Sequence, residues 1–176
     1  MLEIIIGIIV VVSFLLFIFV IIHNKFQLAI IKIDKAEEDI SLYLQKKEDL
    51  LNRAKPIITK ELKNEELLPE LDIIPVDANT FVAHSLLKKA SNELYKILDE
   101  NEKLLKSKPL NKILEEFNDN EEDIMGAIKF YNDTVVDFNR LVASFPSKIV
   151  AFIKRYRKKE FYNNEKREMF EILNEK

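Results

Sequence analysis

The sequence predicts an all-α protein: an N-terminal transmembrane helix, then an elongated antiparallel bundle of three long helices, plus a short C-terminal amphipathic helix. Three observations carry this expectation. Residues 4–22 read IIIGIIVVVSFLLFIFVII, with no charge and no proline. Beyond them, apolar residues recur three, four or seven apart over long stretches, the period of helices with one buried face. Only two glycines and five prolines interrupt the 176 residues, too few turn formers for a β-rich chain. The expected divisions are an anchor over 1–25, a helical bundle over 26–160 and a polar tail over 161–176.

The anchor is expected from Ile4 to Ile22. At about 1.5 Å per residue the run rises about 28 Å, close to the ~30 Å of a bilayer's hydrocarbon. Met1-Leu2-Glu3 carries an acid and no base, and no small-x-small site follows the run, so it does not read as a cleavable signal peptide. Lys25, Lys32 and Lys35 follow it, while its N-terminal flank has no basic side chain. The positive-inside rule then places the N-terminus outside and the rest of the chain in the cytoplasm.

Phe26 to about Leu67 reads as one long helix with an apolar stripe of Phe26, Ile30, Ile33, Ile40, Leu44, Leu51, Ile58 and Leu62. Lys35, Glu38, Lys46, Lys47 and Glu48 are assigned to its solvated face. Nothing breaks the pattern between the anchor and this helix, so the two are candidates for one continuous rod. Pro56 is expected to kink or break it near Lys55. Leu68 to Ala78 reads as a loop, because Pro69 and Pro75 push their predecessors out of helical geometry, with Ile73, Ile74 and Val76 tucked against the bundle.

A second helix is expected to start at Asp77 or Asn79, either of which can cap it, and to run to about Leu105. A third spans about Leu110 to Ala143, its stripe including Phe117, Ile124, Ile128, Tyr131, Val135 and Phe138. The acidic stretch Asn118 to Asp123 is expected to fray or bend it; the spacing does not fit a calcium loop and reads as a solvated face. Phe145-Pro146-Ser147 ends the third helix. Ser147 to Tyr162 then reads as a basic amphipathic helix, with Ile149, Phe152, Ile153 and Tyr156 on one face and Lys148, Lys154, Arg155, Arg157 and Lys158 on the other. Three roles fit it: closing the bundle with Phe152 and Ile153, lying on an anionic membrane surface, or binding an acidic partner or nucleic acid.

Composition removes several chemistries. With no cysteine there is no disulfide, thiolate nucleophile or zinc–sulfur site. The two histidines, His23 and His84, have no ligand spacing around them, and no glycine-rich loop can cradle phosphate. No cofactor, no metal and no catalysis are therefore expected. The net charge of −3 divides into −6 over residues 23–147 and +4 from Lys148 onward, with Glu3 supplying the remainder. An acidic body without stacking aromatics disfavours nucleic acid as a partner. Asn132 and Asn139, seven residues apart on one helical face, are either exposed or bonded to a facing helix whose register they fix. On the second reading Asn139→Leu keeps or raises stability and loses that register.

Several segments together resemble the LemA family of bacterial membrane-anchored helical proteins. They are Phe130-Tyr131-Asn132, Val135 or Val136, Phe138-Asn139, Phe145-Pro146-Ser147, and Ile149 with Ala151. Asn24 after the anchor and the Lys46–Leu51 run, Lys-Lys-Glu-Asp-Leu-Leu, fit as well. Two features depart from the pattern: Asn52-Arg53-Ala54-Lys55 stands before Pro56, and Lys60 to Asp77 matches poorly. The resemblance implies a single-pass anchor, a helical bundle, interhelical polar contacts through Tyr131, Asn132 and Asn139, and no enzymatic activity. It also implies membrane lipid and other membrane proteins as partners, a membrane metalloprotease among them. The expected role is thus a scaffold or adaptor for membrane or envelope proteins, with anionic-lipid binding by the C-terminal helix as the alternative.

Overall fold

The first helix, α1, runs unbroken from Leu2–Leu62, so the apolar anchor candidate and the first amphipathic stretch are a single element. The computed structural model describes residues 1–64, 66–75 and 79–162. Among them every regular element is helical: α1, then α2 (Thr80–Glu100), α3 (Lys108–Ala143) and α4 (Ser147–Lys154), with short 3-10 turns at Pro69–Ile73 and Glu102–Lys106. The expected tail from Asn163, the possible cap Asp77 and the apolar Val76 lie outside the described residues.

Several boundaries differ from the sequence expectation, each for a local reason. Pro56 does not end α1. Ala54 and Ile58 on either side of it are buried, and that packing holds the helix across the missing backbone donor. α1 instead stops at Leu62, where Lys63 adopts a left-handed conformation (φ 52°). The second helix ends at Glu100, short of Leu105, because Asn101 leaves helical geometry and its side-chain amide donates to the Ile97 carbonyl at 2.9 Å. Its start is capped by Asn79, whose side chain accepts from Val82 N–H at 2.9 Å. In the connection before α2, Leu67, Leu68 and Leu71 supply the buried side chains, whereas Ile73 is exposed. α3 passes through Asn118 to Asp123 without a break.

The chain separates into two compact units, one comprising Met1–Lys35 and the chain from Phe130 on, the other Ala36–Lys129. The second unit has a core of Ile40, Leu44, Leu51 and Ile58 from α1, Leu87, Leu94 and Ile97 from α2, and Leu110, Phe117 and Ile124 from α3. Its α1 stripe contains one residue that composition assigned to solvent. Lys47 stands between Leu44 and Leu51 at three- and four-residue spacing and is only 2% exposed. Its ammonium pairs with Glu121 at 2.8 Å and lies 5.8 Å from the Phe117 ring centre. Asn120, beside Glu121, is buried and donates to the Tyr43 carbonyl at 3.0 Å. The acidic stretch of α3 is thus partly an inward polar contact rather than a wholly solvated face.

In the first unit, Phe26 is fully buried between Phe138 of α3, edge-on at 5.7 Å, and the ring of Tyr156 at 4.8 Å. Ile33, Tyr131, Val135, Val150 and Ala151 complete this core.

Candidate functional site

The candidate site is built on the first unit, where the amino-terminal stretch of α1, the end of α3 and α4 come together. Residues Ile4 to Ile22 lie within α1, and the most apolar 18-residue window of that helix is not buried within the protein at all. It is one helix long and apolar enough to cross a membrane. Lys25 follows three residues after Ile22, about 4.5 Å further along the axis. Beside Lys25 and Leu28 lie Leu141 from the end of α3 and Ser144 just past it, all bordering one groove. The turn that leads into α4 therefore stands at the level where the apolar run gives way to charge.

α4 itself is shorter than the expected helix, ending at Lys154. Arg155 takes a left-handed conformation (φ 56°); its N–H donates to Phe152 O at 3.2 Å and Tyr156 N–H to Ala151 O at 2.9 Å. This pair of bonds is a Schellman closure with arginine where glycine is usual. Of the expected basic face, Lys148 and Lys154 lie on α4, Arg155 is its cap, and Arg157 and Lys158 belong to the non-helical segment that follows.

The faces of α4 also differ from expectation. Ser147, Val150 and Ala151 are buried. Phe145 is 81% exposed and Phe152 86% exposed, with Ile149 and Ile153 also exposed. Closure of the core by Phe152 and Ile153 is thereby corrected: the small residues face inward, and the bulky ones form an outward apolar stripe recurring every three or four residues. Tyr156 leaves this stripe, because the cap at Arg155 redirects it onto Phe26; its hydroxyl accepts from Gln27 Nε2 at 2.8 Å.

The paired asparagines are buried, but their bonding partner is a non-helical segment and not a facing helix. Asn139 Nδ2 donates to Lys159 O at 2.9 Å, and Lys159 N–H donates back to Asn139 Oδ1 at 2.8 Å. Asn132 Oδ1 accepts from Tyr162 N–H at 3.0 Å, and Tyr131 Oη donates to Glu160 O at 3.1 Å. Seven residues put both amides on one face of α3, and the non-helical residues 159 to 162 bridge them. The three residues clasp the chain that leaves α4 against α3.

The motif residues Phe130 to Asn139 and Phe145 to Ser147 thus form the clasp and the entry to α4. The LemA family model matches residues 77–172, more than half of the chain. The chain belongs to the LemA family. No curated protein and no solved structure matches it. The LemA match covers α2, α3, α4 and the clasped segment, and leaves α1 outside.

A second polar centre was not foreseen in the sequence. In the Ala36–Lys129 unit, burial lowers the Lys47 ammonium pKa, and Glu121 opposes that shift. Burial, with the charges of Lys47 and Lys88, brings His84 down to about 4. Burial and the nearby Glu121 raise the Tyr95 hydroxyl, which lies 3.0 Å from Asn118 Oδ1. The signal available was the spacing Leu44, Lys47, Leu51, which puts Lys47 in the apolar stripe.

Proposed function

We propose that this LemA-family chain is a membrane-anchored adaptor, with its N-terminus outside and its helical body, an antiparallel bundle, in the cytoplasm. The observation carrying the reading is the continuity of α1 from the apolar run through to Leu62. Whatever the body binds is then tethered to the bilayer by an unbroken helix. The body offers exposed apolar side chains for protein contact, among them Leu42 on α1 and Met125 on α3. Other membrane proteins, including a membrane metalloprotease, are the proposed partners. Photo-crosslinkers placed at Leu42 and Met125 in intact membranes should each give a discrete adduct with a membrane protein. Adducts to lipid alone at both positions would remove the adaptor reading.

A second reading is favoured by the outward stripe Phe145, Ile149, Phe152 and Ile153, flanked by Lys148 and followed by Lys154, Arg155 and Arg157. Large apolar side chains with neighbouring cations suit an interfacial helix on an anionic leaflet. Because the chain has no cysteine, Phe152→Cys can carry a single fluorophore in the full-length protein. In bilayers with brominated acyl chains that fluorophore should be quenched, and one at Asn64→Cys should not. Equal quenching at both positions would count against a bilayer-seated α4.

A further inference from the structure

A groove of about 400 Å³ opens in the first unit between α1, just past its apolar run, and the last turns of α3. Its volume lies in the range of small-molecule sites. Lys25 and Lys32 border it from α1 and Arg140 from α3, while Leu28, Ala29 and Leu141 supply apolar walls. The two lysines are seven residues apart, two helical turns, so they share a face of α1. Asp137 is the single acid in the lining, which leaves it with a charge of +2. Asp137 and Arg140 are 3.5 Å apart and 73% and 63% exposed. Such a pair is weak in water, and the guanidinium can turn to a better acceptor.

Position decides what that acceptor is. The polar headgroup layer of a bilayer is about 5–8 Å deep on each side. Lys25 lies about 4.5 Å past Ile22 along α1, inside that layer, whereas Lys32, two turns further, lies about 15 Å past Ile22, beyond the layer, and faces it only from its solvent side. We propose that the groove binds the headgroup of one anionic phospholipid, its phosphodiester held by Lys25 and the outer, solvent-side end of the headgroup facing Arg140 and Lys32 along the wall formed by Leu28 and Leu141. A zwitterionic headgroup brings its own ammonium against three cations; an anionic one does not. The proposal rests on the anchor reading and is independent of whether α4 lies on the bilayer.

The test uses the full-length chain in phosphatidylcholine nanodiscs containing phosphatidylglycerol, with retained lipid counted by native mass spectrometry. One phosphatidylglycerol per chain should be retained in preference to phosphatidylcholine. Retention should fall by roughly tenfold or more in K25Q/K32Q and in R140Q. The charge-matched variant K89Q/K96Q, on exposed sites of the other unit, should retain lipid as the parent does. Circular dichroism confirms that each variant remains helical. Retention by K25Q/K32Q and R140Q equal to the parent overturns the proposal. So does displacement of the lipid by millimolar inorganic phosphate, which would make this a site for free anions. A chain that never enters the nanodisc overturns the anchor reading and this proposal with it; a chain that enters without selective retention overturns this proposal alone.

Discussion

Asn139 binds both backbone groups of Lys159, one as donor and one as acceptor, so its amide substitutes for a strand partner. Asn139→Leu therefore does not keep or raise stability, as a coiled-coil role would imply. It strands a partly buried N–H and C=O, at a cost of about 2–4 kcal/mol. Urea unfolding should show that loss, and the Lys159 amide should exchange with solvent much faster in the variant. Unchanged exchange would mean that the clasp is not held by Asn139. The residue pattern already placed Asn132 and Asn139 on one face. It did not reveal their partner, because the bonds reach 20 and 30 residues along the chain to backbone atoms that carry no sequence signature. His84 belongs to the same scale. Lys47 from α1, paired with Glu121 from α3, and Lys88 from α2 are the charges around it, and burial with the two lysines holds it at about 4. An unfolded histidine titrates near 6.5. The unfolded chain thus takes up a proton that the folded chain refuses as pH falls from about 6.5 to about 4. The stability that neutral His84 contributes is complete above that window and is lost on descending through it. Glu93, raised mainly by burial, pulls in the opposite sense, so the comparison is between the parent and His84→Gln. Urea midpoints measured from pH 7 down to pH 4.5 should fall less steeply in His84→Gln; parallel slopes would show that His84 does not titrate as assigned.

At the scale of elements, helix periodicity located the four α-helices of the described residues, and local capping sets where α1, α2 and α4 end. α1 crosses Pro56 although the proline removes the donor that would meet the Asn52 carbonyl. Pro56 is exposed while Ala54 and Ile58 are buried, so α1 keeps its course through its packed face. Pro56→Ala should stabilise the protein by about 1–3 kcal/mol, read as a higher thermal midpoint with unchanged helical content. A lower midpoint would mean that the proline sets a bend required by the packing of Ala54 and Ile58. α4 teaches the complementary lesson. Its apolar and basic residues were legible, but their faces were not, because two apolar stripes share the helix and the one that carries Val150 and Ala151 is the one buried.

At the scale of the whole molecule, the proposed anchor and the lysines after it predict a direction across the bilayer. With the N-terminus outside, a membrane-impermeant maleimide added to sealed cells should label Leu2→Cys and spare Asn64→Cys until the cells are opened. Labelling of Asn64→Cys in sealed cells would invert the orientation.

The sequence by itself determined an all-helical chain, one apolar stretch able to cross a membrane and the motif that identifies the LemA family. Each of these depends on local composition and on periods of three to seven residues, which one chain displays without its fold. The tertiary structure decided that Lys47 is buried against Glu121, that Asn132 and Asn139 bind the non-helical chain after α4, and that Phe145 and Phe152 face outward. It also assembled Lys25, Lys32 and Arg140 around one groove, from positions more than a hundred residues apart. Those outcomes depend on which surfaces compete for the same burial, and that competition is resolved only when the helices meet.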